Sequence, residues 1–191
     1  AAIQRQFHHL VRCVPGNGLI AHRGDTPAID EVMQLGFWTP KATFGVGVDS
    51  KASWRAQLLE EDGSLFRLFP GYMSAVDVSW SLCGRHNVEN ALAALIAAQH
   101  VGVEPEAAAA ALGEFKGVKR RMELLGTVNS INVYDDFAHH PTAIEFIVKT
   151  FQEEFNKEKT LFIVDPRSNT MKRGDLKEHL RSVLSKMESF M

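Results

Sequence analysis

Cysteine is scarce in these 191 residues: Cys13 and Cys83 stand far apart, without C-x-x-C spacing. That argues against a disulfide framework and a cysteine zinc site, and suits a reducing compartment. Long apolar runs are missing as well. The Ala-rich stretch 91–98 runs into Gln99-His100, well short of the ~18 residues of a membrane span. Charge of one sign is also lacking. With 21 basic and 23 acidic residues the net charge is −2, which gives no electrostatic case for nucleic acid or an anionic membrane. Residues 1–10 carry Gln4, Arg5, Gln6, His8 and His9 where the apolar segment of a signal peptide would lie, so a cytoplasmic location is expected. Neither internal repeats nor low-complexity tracts occur.

What is present is ordinary globular material, 45% hydrophobic and 23% charged, enough for one or two cores. Helical spacing of Ile3, Phe7, Leu10 and Val11 from almost the first residue, with no initiator Met, and an ending at what reads as the close of a helix both suggest a fragment. Residues 14–18 (Val-Pro-Gly-Asn-Gly) break the first helix. A strand is expected at 19–22. A short helix at 27–36 follows, with Thr26 as a possible N-cap and Gly36 as its stop. Strands are expected at 43–48, 54–59, 65–69 and 76–82, the middle two forming a hairpin around Asp62-Gly63. Two Ala-rich helices at 91–101 and 104–115 lead to the basic segment Lys116-Gly-Val-Lys-Arg-Arg-Met122, the best domain boundary. Strands at 122–128 and 131–134, a helix at 141–155, an apolar strand at 160–165 and a helix at about 173–188 complete a βαβα pattern, which implies a parallel unit.

Chemistry concentrates in Val133-Tyr-Asp-Asp-Phe-Ala-His-His-Pro-Thr142. Pro141 suits the first turn of a helix, since its missing N–H would have no partner there. The segment after it places Ile144, Ile147, Val148, Phe151 and Phe155 on one face. Two carboxylates and two imidazoles thus occupy a strand-to-helix loop, the carboxyl edge at which open α/β sheets bind ligands. The bland alternative is that Asp135 and Asp136 are turn formers and His139 and His140 cover a helix end.

Three further segments invite the same weighing. In Gly84-Arg-His-Asn-Val-Glu-Asn90, the primary amides of Asn87 and Asn90 stand three apart at a helix start and suit the edge of an adenine ring; a simple N-cap role for Asn87 is the alternative. Lys119-Arg120-Arg121 reads either as a bidentate phosphate contact or as a solvated run. Arg167-Ser-Asn-Thr-Met-Lys172, after an apolar strand, offers donors for carboxylate or phosphate, or merely caps a helix. The pairs His8-His9 and His139-His140 lack ligand spacing, so no metal site is assigned to histidines alone.

Taken together and in order, these stretches, with Gly117-Val-Lys-Arg-Arg-Met-Glu and Ile3-Gln-Arg-Gln-Phe-His-His-Leu-Val-Arg, resemble the Mur ligase superfamily of ATP-dependent amide-forming enzymes. The resemblance covers the whole chain. It implies an α/β fold: the rear of a Mur-ligase central ATPase domain over 1–117, then a truncated Rossmann-like C-terminal domain over 118–191. It matches Asn87 and Asn90 to the adenine-contacting pair, with His86 beside them, Arg121 to the arginine that reaches nucleotide phosphate or ribose, and Asp136 to the carboxylate on the ribose hydroxyls. His139 lies in the loop facing the reaction centre, which makes His139 and Arg121 the catalytic candidates. His140 and Arg167, Ser168, Asn169, Thr170 and Lys172 would hold the acceptor. The Asp-Asp-Phe-Ala-His-His-Pro form resembles the muramate-linked members, and Pro-Arg-Ser-Asn-Thr-Met-Lys those accepting a murein tripeptide.

The implied reaction joins that tripeptide to UDP-N-acetylmuramate through an acyl-phosphate made with ATP and Mg²⁺, in peptidoglycan recycling. A ligase for free L-alanine and a non-catalytic nucleotide-binding module are the alternatives. No Gly-x-x-x-x-Gly-Lys-Ser/Thr loop occurs, and the Mg²⁺ ligands and UDP-sugar domain lie outside this sequence. The 191 residues alone are therefore expected to be inactive.

Overall fold

A computed structural model describes residues 2–154, 159–165, 174 and 176–187. The chain divides into two compact units, Ala1–Lys116 and Gly117–Met191.

The first unit opens with helix α1 (Ala2–Cys13), followed by strand β1 (Ile20–Arg23) and helix α2 (Pro27–Gln34). Strands β2 (Lys41–Val46), β3 (Trp54–Leu58), β4 (Leu65–Pro70) and β5 (Val76–Ser79) complete one sheet in the order β1-β2-β3-β4-β5. β1, β2 and β3 are parallel and the last two pairings antiparallel, so the sheet is mixed. Pro at the start of α2 costs no hydrogen bond. Thr26 precedes it, but its hydroxyl donates to the Gly24 carbonyl (3.2 Å) instead of capping. Gly36, at φ 109°, adopts a backbone few other residues tolerate and ends the segment as expected.

Period-two burial on β4, with Phe66, Leu68 and Pro70 inside and Arg67 outside, aims one face of the sheet at helix α3 (Arg85–His100). Val88, Ala91, Leu92, Leu95 and Ile96 recur at helical spacing and fill that face against Val46, Trp54, Ala56, Phe66, Leu68, Val78 and Trp80. Ala108 and Ala109 of helix α4 (Pro105–Glu114) join the cluster. The Trp80 indole N–H is satisfied inside it by the Gly63 carbonyl at 2.9 Å.

In the second unit, β6 (Glu123–Val128) and β7 (Ile131–Asp135) form an antiparallel hairpin closed by Asn129 and Ser130, both at positive φ. Helix α5 (Pro141–Glu154) packs on helix α6 (Lys177–Leu184) through Ile144, Val148 and Val183, with Met187 beyond α6. The expected apolar face of α5 is realised at Ile144 and Val148, while Phe155 lies outside the described residues. Of the strand expected at 160–165, the described residues show a single bridge, at Phe162, and among them this sheet holds β6 and β7 alone. The physical reason is one-sided cover: Phe162 and Val164 pack toward the α5–α6 core, whereas Leu161 and Ile163 stay exposed. An apolar run forms a parallel strand when both of its faces are covered.

Candidate nucleotide and acceptor site

The loop after β7 is built around Asp136. Both of its oxygens accept main-chain N–H groups, from Met122 (2.9 Å) and Ala138 (2.7 Å). The Ala138 bond is the local Asp turn that the bland reading foresaw; the Met122 bond reaches 14 residues back. That bond clamps a backbone under strain, since Arg120 and Met122 sit at φ 59° and 50°, each a conformation costing on the order of 1 kcal/mol or more for a side chain of this size. Between them, Arg121 presents a half-exposed guanidinium 3.8 Å from Asp136 Oδ1. The separation is too long for a hydrogen bond, so Arg121 can accept an incoming anion without breaking one.

Neighbouring charges are tied more closely. Arg120 Nε donates to Asp135 Oδ2 at 3.0 Å, and the Arg120 amide to Glu123 Oε2 at 2.7 Å. Arg120 and Arg121 lie over the Phe137 ring, at 5.1 and 6.0 Å. Two of the three residues in the basic run of the sequence thus face carboxylates and an aromatic ring. His139 Nδ1 lies 3.0 Å from the Phe137 carbonyl oxygen. A carbonyl only accepts, so Nδ1 carries the proton of the neutral ring and Nε2 the lone pair. His140 faces the other way: its Nδ1 accepts the Thr142 amide (3.3 Å) and its carbonyl the amides of Ala143 and Ile144, which caps α5. A cavity of about 900 Å³ opens beside this loop, lined by Asp135, Asp136, Phe137 and His139 together with Tyr134 and Phe162.

In the first unit, Gly84 at φ 95° is the residue before α3, so Asn87 is the third helical residue and not the cap. Its Nδ2 donates back to the Cys83 carbonyl at 2.7 Å, which fixes the amide. The Gly84 amide donates to the Asp62 carbonyl in the β3–β4 turn, so the hairpin braces the helix start. Asn90, one turn on, is exposed, and His86 is half-buried beside them. Charge holds the same turn from the sheet side. Arg85 Nη2 donates to the Val46 carbonyl (2.6 Å), and Glu89, largely buried, lies 3.6 Å from Arg85 and 3.3 Å from Arg23.

The structure therefore brings Arg121, Asp136 and His139 into one loop cluster, and Asn87, Asn90 and His86 onto the start of one helix. Arg167, Ser168, Asn169, Thr170 and Lys172 lie outside the described residues. Sequence reasoning missed Phe137, the residue its neighbours share, and Glu89, whose four-residue spacing from Arg85 was the available signal. Among the described residues no three His, Cys, Asp or Glu side chains cluster as metal ligands.

A mixed α/β unit followed by a helix-bearing loop rich in carboxylate, imidazole and guanidinium defines a class that comparison identifies. Residues 2–98 match the Mur ligase middle domain and residues 120–188 the Mur ligase glutamate ligase domain. The chain belongs to the Mur ligase family. It is 39% identical over 98% of its length to the UDP-N-acetylmuramate–L-alanyl-γ-D-glutamyl-meso-2,6-diaminoheptandioate ligase of Haemophilus influenzae, of which it covers 41%. To a UDP-N-acetylmuramate–L-alanine ligase of Acidithiobacillus ferrooxidans it is 42% identical over 56% of its length, covering 24% of that protein. A crystal structure of a murein peptide ligase from Psychrobacter arcticus aligns at a TM-score of 0.76 with 41% identity, over 99% of this chain and 40% of that one. The chain thus spans about two-fifths of the length of its tripeptide-ligase relatives.

Proposed function

We propose that this chain is the nucleotide- and acceptor-holding part of an ATP-dependent ligase that joins L-alanyl-γ-D-glutamyl-meso-2,6-diaminoheptandioate to UDP-N-acetylmuramate, in cytoplasmic recycling of peptidoglycan. The observation that carries the reading is Asp136, pinned through both oxygens by two backbone donors beside the loosely held Arg121. A carboxylate has about four acceptor positions. Two are filled here, and two remain for a pair of vicinal hydroxyls, which fits a ribose. Arg121 takes nucleotide phosphate, and Asn87 and Asn90 offer amide donors and acceptors to the adenine edge.

ATP supplies the phosphoryl group that activates the muramyl carboxylate as an acyl-phosphate. The L-alanyl amine then attacks the acyl carbon, the C–N bond forms, and phosphate leaves. His139, with its lone pair on Nε2, takes the proton that the amine sheds, while Arg121 neutralises charge building on the transferring oxygens. Mg²⁺ would be held by residues outside this chain, as would the phosphates by a Gly-rich loop. The 191 residues by themselves turn nothing over.

Identity to the tripeptide ligase of Haemophilus influenzae across nearly the whole chain favours the tripeptide as acceptor; free L-alanine is the second reading, favoured by the alanine ligase match over 110 residues. The test is ADP release by a full-length protein carrying this sequence, with ATP, UDP-N-acetylmuramate and either acceptor, beside Asp136→Asn. Tripeptide-dependent release that Asp136→Asn lowers about 10- to 100-fold, the loss of hydrogen bonds to a charged group, supports the proposal. A preference for L-alanine transfers it to the second reading. Absence of ADP with both acceptors leaves a binding module.

A further inference from the structure

We infer that Phe137 is a positioning residue, whose ring and peptide together fix Arg120, Arg121 and His139; the inference rests on the ligase reading above. Phe137 is half exposed, so burial does not account for an aromatic side chain at this place. Its contacts do. The Phe137 amide donates to the Arg120 carbonyl at 2.8 Å, and its own carbonyl holds His139 Nδ1 at 3.0 Å. The ring lies under the Arg120 and Arg121 guanidiniums at 5.1 and 6.0 Å. The His139 ring packs against it at 5.0 Å between centroids, tilted by 56°.

Each of these contacts meets a specific need. Adjacent guanidiniums repel, and an aromatic face is a weak negative surface both can share. Arg120 is already anchored by Asp135 at 3.0 Å, whereas among the described residues the carboxylate nearest Arg121 is Asp136, at 3.8 Å. The ring therefore orients the arginine that must stay available for a phosphate, without competing for its N–H donors. The same residue also sets the tautomer and the tilt of His139. One side chain thus couples the cation of the site to its base.

Phe137→Leu keeps both peptide contacts and removes the ring; Phe137→Tyr keeps both. In a full-length protein carrying this sequence, Phe137→Leu should lower kcat roughly 2- to 5-fold, the size of a lost cation–π contact at an exposed site. It should leave KM for the peptide acceptor and the thermal midpoint unmoved, and Phe137→Tyr should restore kcat. The ring protons of His139, followed by NMR in the same protein, should shift in the Leu variant and hold in the Tyr variant, because the neighbouring ring current disappears only in the former. Unchanged kcat in Phe137→Leu, or a kcat loss that Phe137→Tyr fails to restore, overturns the inference. If the wild-type protein releases no acceptor-dependent ADP, the ligase reading falls. The His139 resonances then decide for Phe137 by themselves, and identical positions in wild type and Phe137→Leu overturn it.

Discussion

In the first unit, α3 covers a five-stranded sheet and one cluster runs from Val46 through Leu92 and Ile96 to Ala109. In the second, the described core reduces to Ile144, Val148, Val183 and Met187, while Ile131 and Ile163 remain 65% and 75% exposed. The site residues follow the same division. Asn87 and Asn90 ride on a helix anchored by its packed face, with hydrogen bonds to the Cys83 and Asp62 carbonyls holding its start. Arg121 sits between two strained residues and Asp136 and His139 on the loop after β7, a cluster held by hydrogen bonds and charge. The groups proposed to bind nucleotide are therefore held in two physically different ways within one chain, and substitutions should expose the difference.

The largest contrast is in the cores. Leu92 is fully buried, and Leu92→Ala should cost about 2–5 kcal/mol through lost transfer energy plus a cavity. Val148→Ala, with fewer atoms removed and a smaller surrounding cluster, should cost about 2 kcal/mol. All three tryptophans, Trp38, Trp54 and Trp80, belong to the first unit, so denaturation followed by fluorescence reads the first variant, and the far-UV dichroism change that fluorescence does not follow reads the second. Equal losses would erase the distinction between the cores.

A smaller effect separates the two ways of holding a site by charge. Glu89 bridges Arg23 and Arg85 with its side chain largely buried, whereas both arginines are half exposed. Glu89→Gln should loosen the start of α3 by at most about 1 kcal/mol, with a few-fold loss of nucleotide affinity in calorimetry of the full-length protein. Because exposed partners are screened, that loss should shrink as salt rises. The loss in Asp136→Asn involves backbone donors and should persist. A Glu89→Gln defect as salt-independent as that of Asp136→Asn would place both sites under the same control.

Much of this was legible in the sequence, for reasons that differ by element. The β3–β4 hairpin announced itself through Asp62-Gly63 between alternating strands, and α5 through Pro141 and the spacing of Ile144 and Val148, because turn chemistry and periodicity are local. The loop at 135–140 was legible as a cluster of ionisable groups. Its tie to Met122 was not, since a backbone amide leaves no mark in a residue's identity. The strand expected at 160–165 is realised only as a bridge at Phe162 among the described residues: its apolar run describes what the segment can bury, while strand formation depends on what flanks it. Phe137 escaped notice because an aromatic in a loop reads as packing until its neighbours are known.

Asp62 and Asp136 make the closest comparison, because both accept the amide two residues ahead, from Ser64 (2.8 Å) and Ala138 (2.7 Å). The turn motif is shared, and each carboxylate takes one distant donor, the Cys83 thiol for Asp62 (3.8 Å) and the Met122 amide for Asp136 (2.9 Å). Among the described residues a guanidinium faces Asp136 and none faces Asp62. Asp62 braces α3 through its main-chain carbonyl to Gly84, which a side-chain change leaves in place. Hydrogen bonds from Ser64 hold the Asp62 carboxyl below its ordinary value of 3.8. A carboxyl lowered in the folded state contributes stability that is complete above the unfolded value and lost as pH falls through the folded one. Asp62→Asn should therefore cost a few tenths to about 1 kcal/mol at neutral pH, and the gap to wild type should close as denaturation is repeated below pH 3.8. Nucleotide affinity should stay within about twofold, since no hydrogen bond to a charged partner at the binding groups is removed. Were Asp62→Asn to weaken nucleotide binding as far as Asp136→Asn does, the shared turn, and not the Met122 and Arg121 contacts, would be what makes an aspartate here functional.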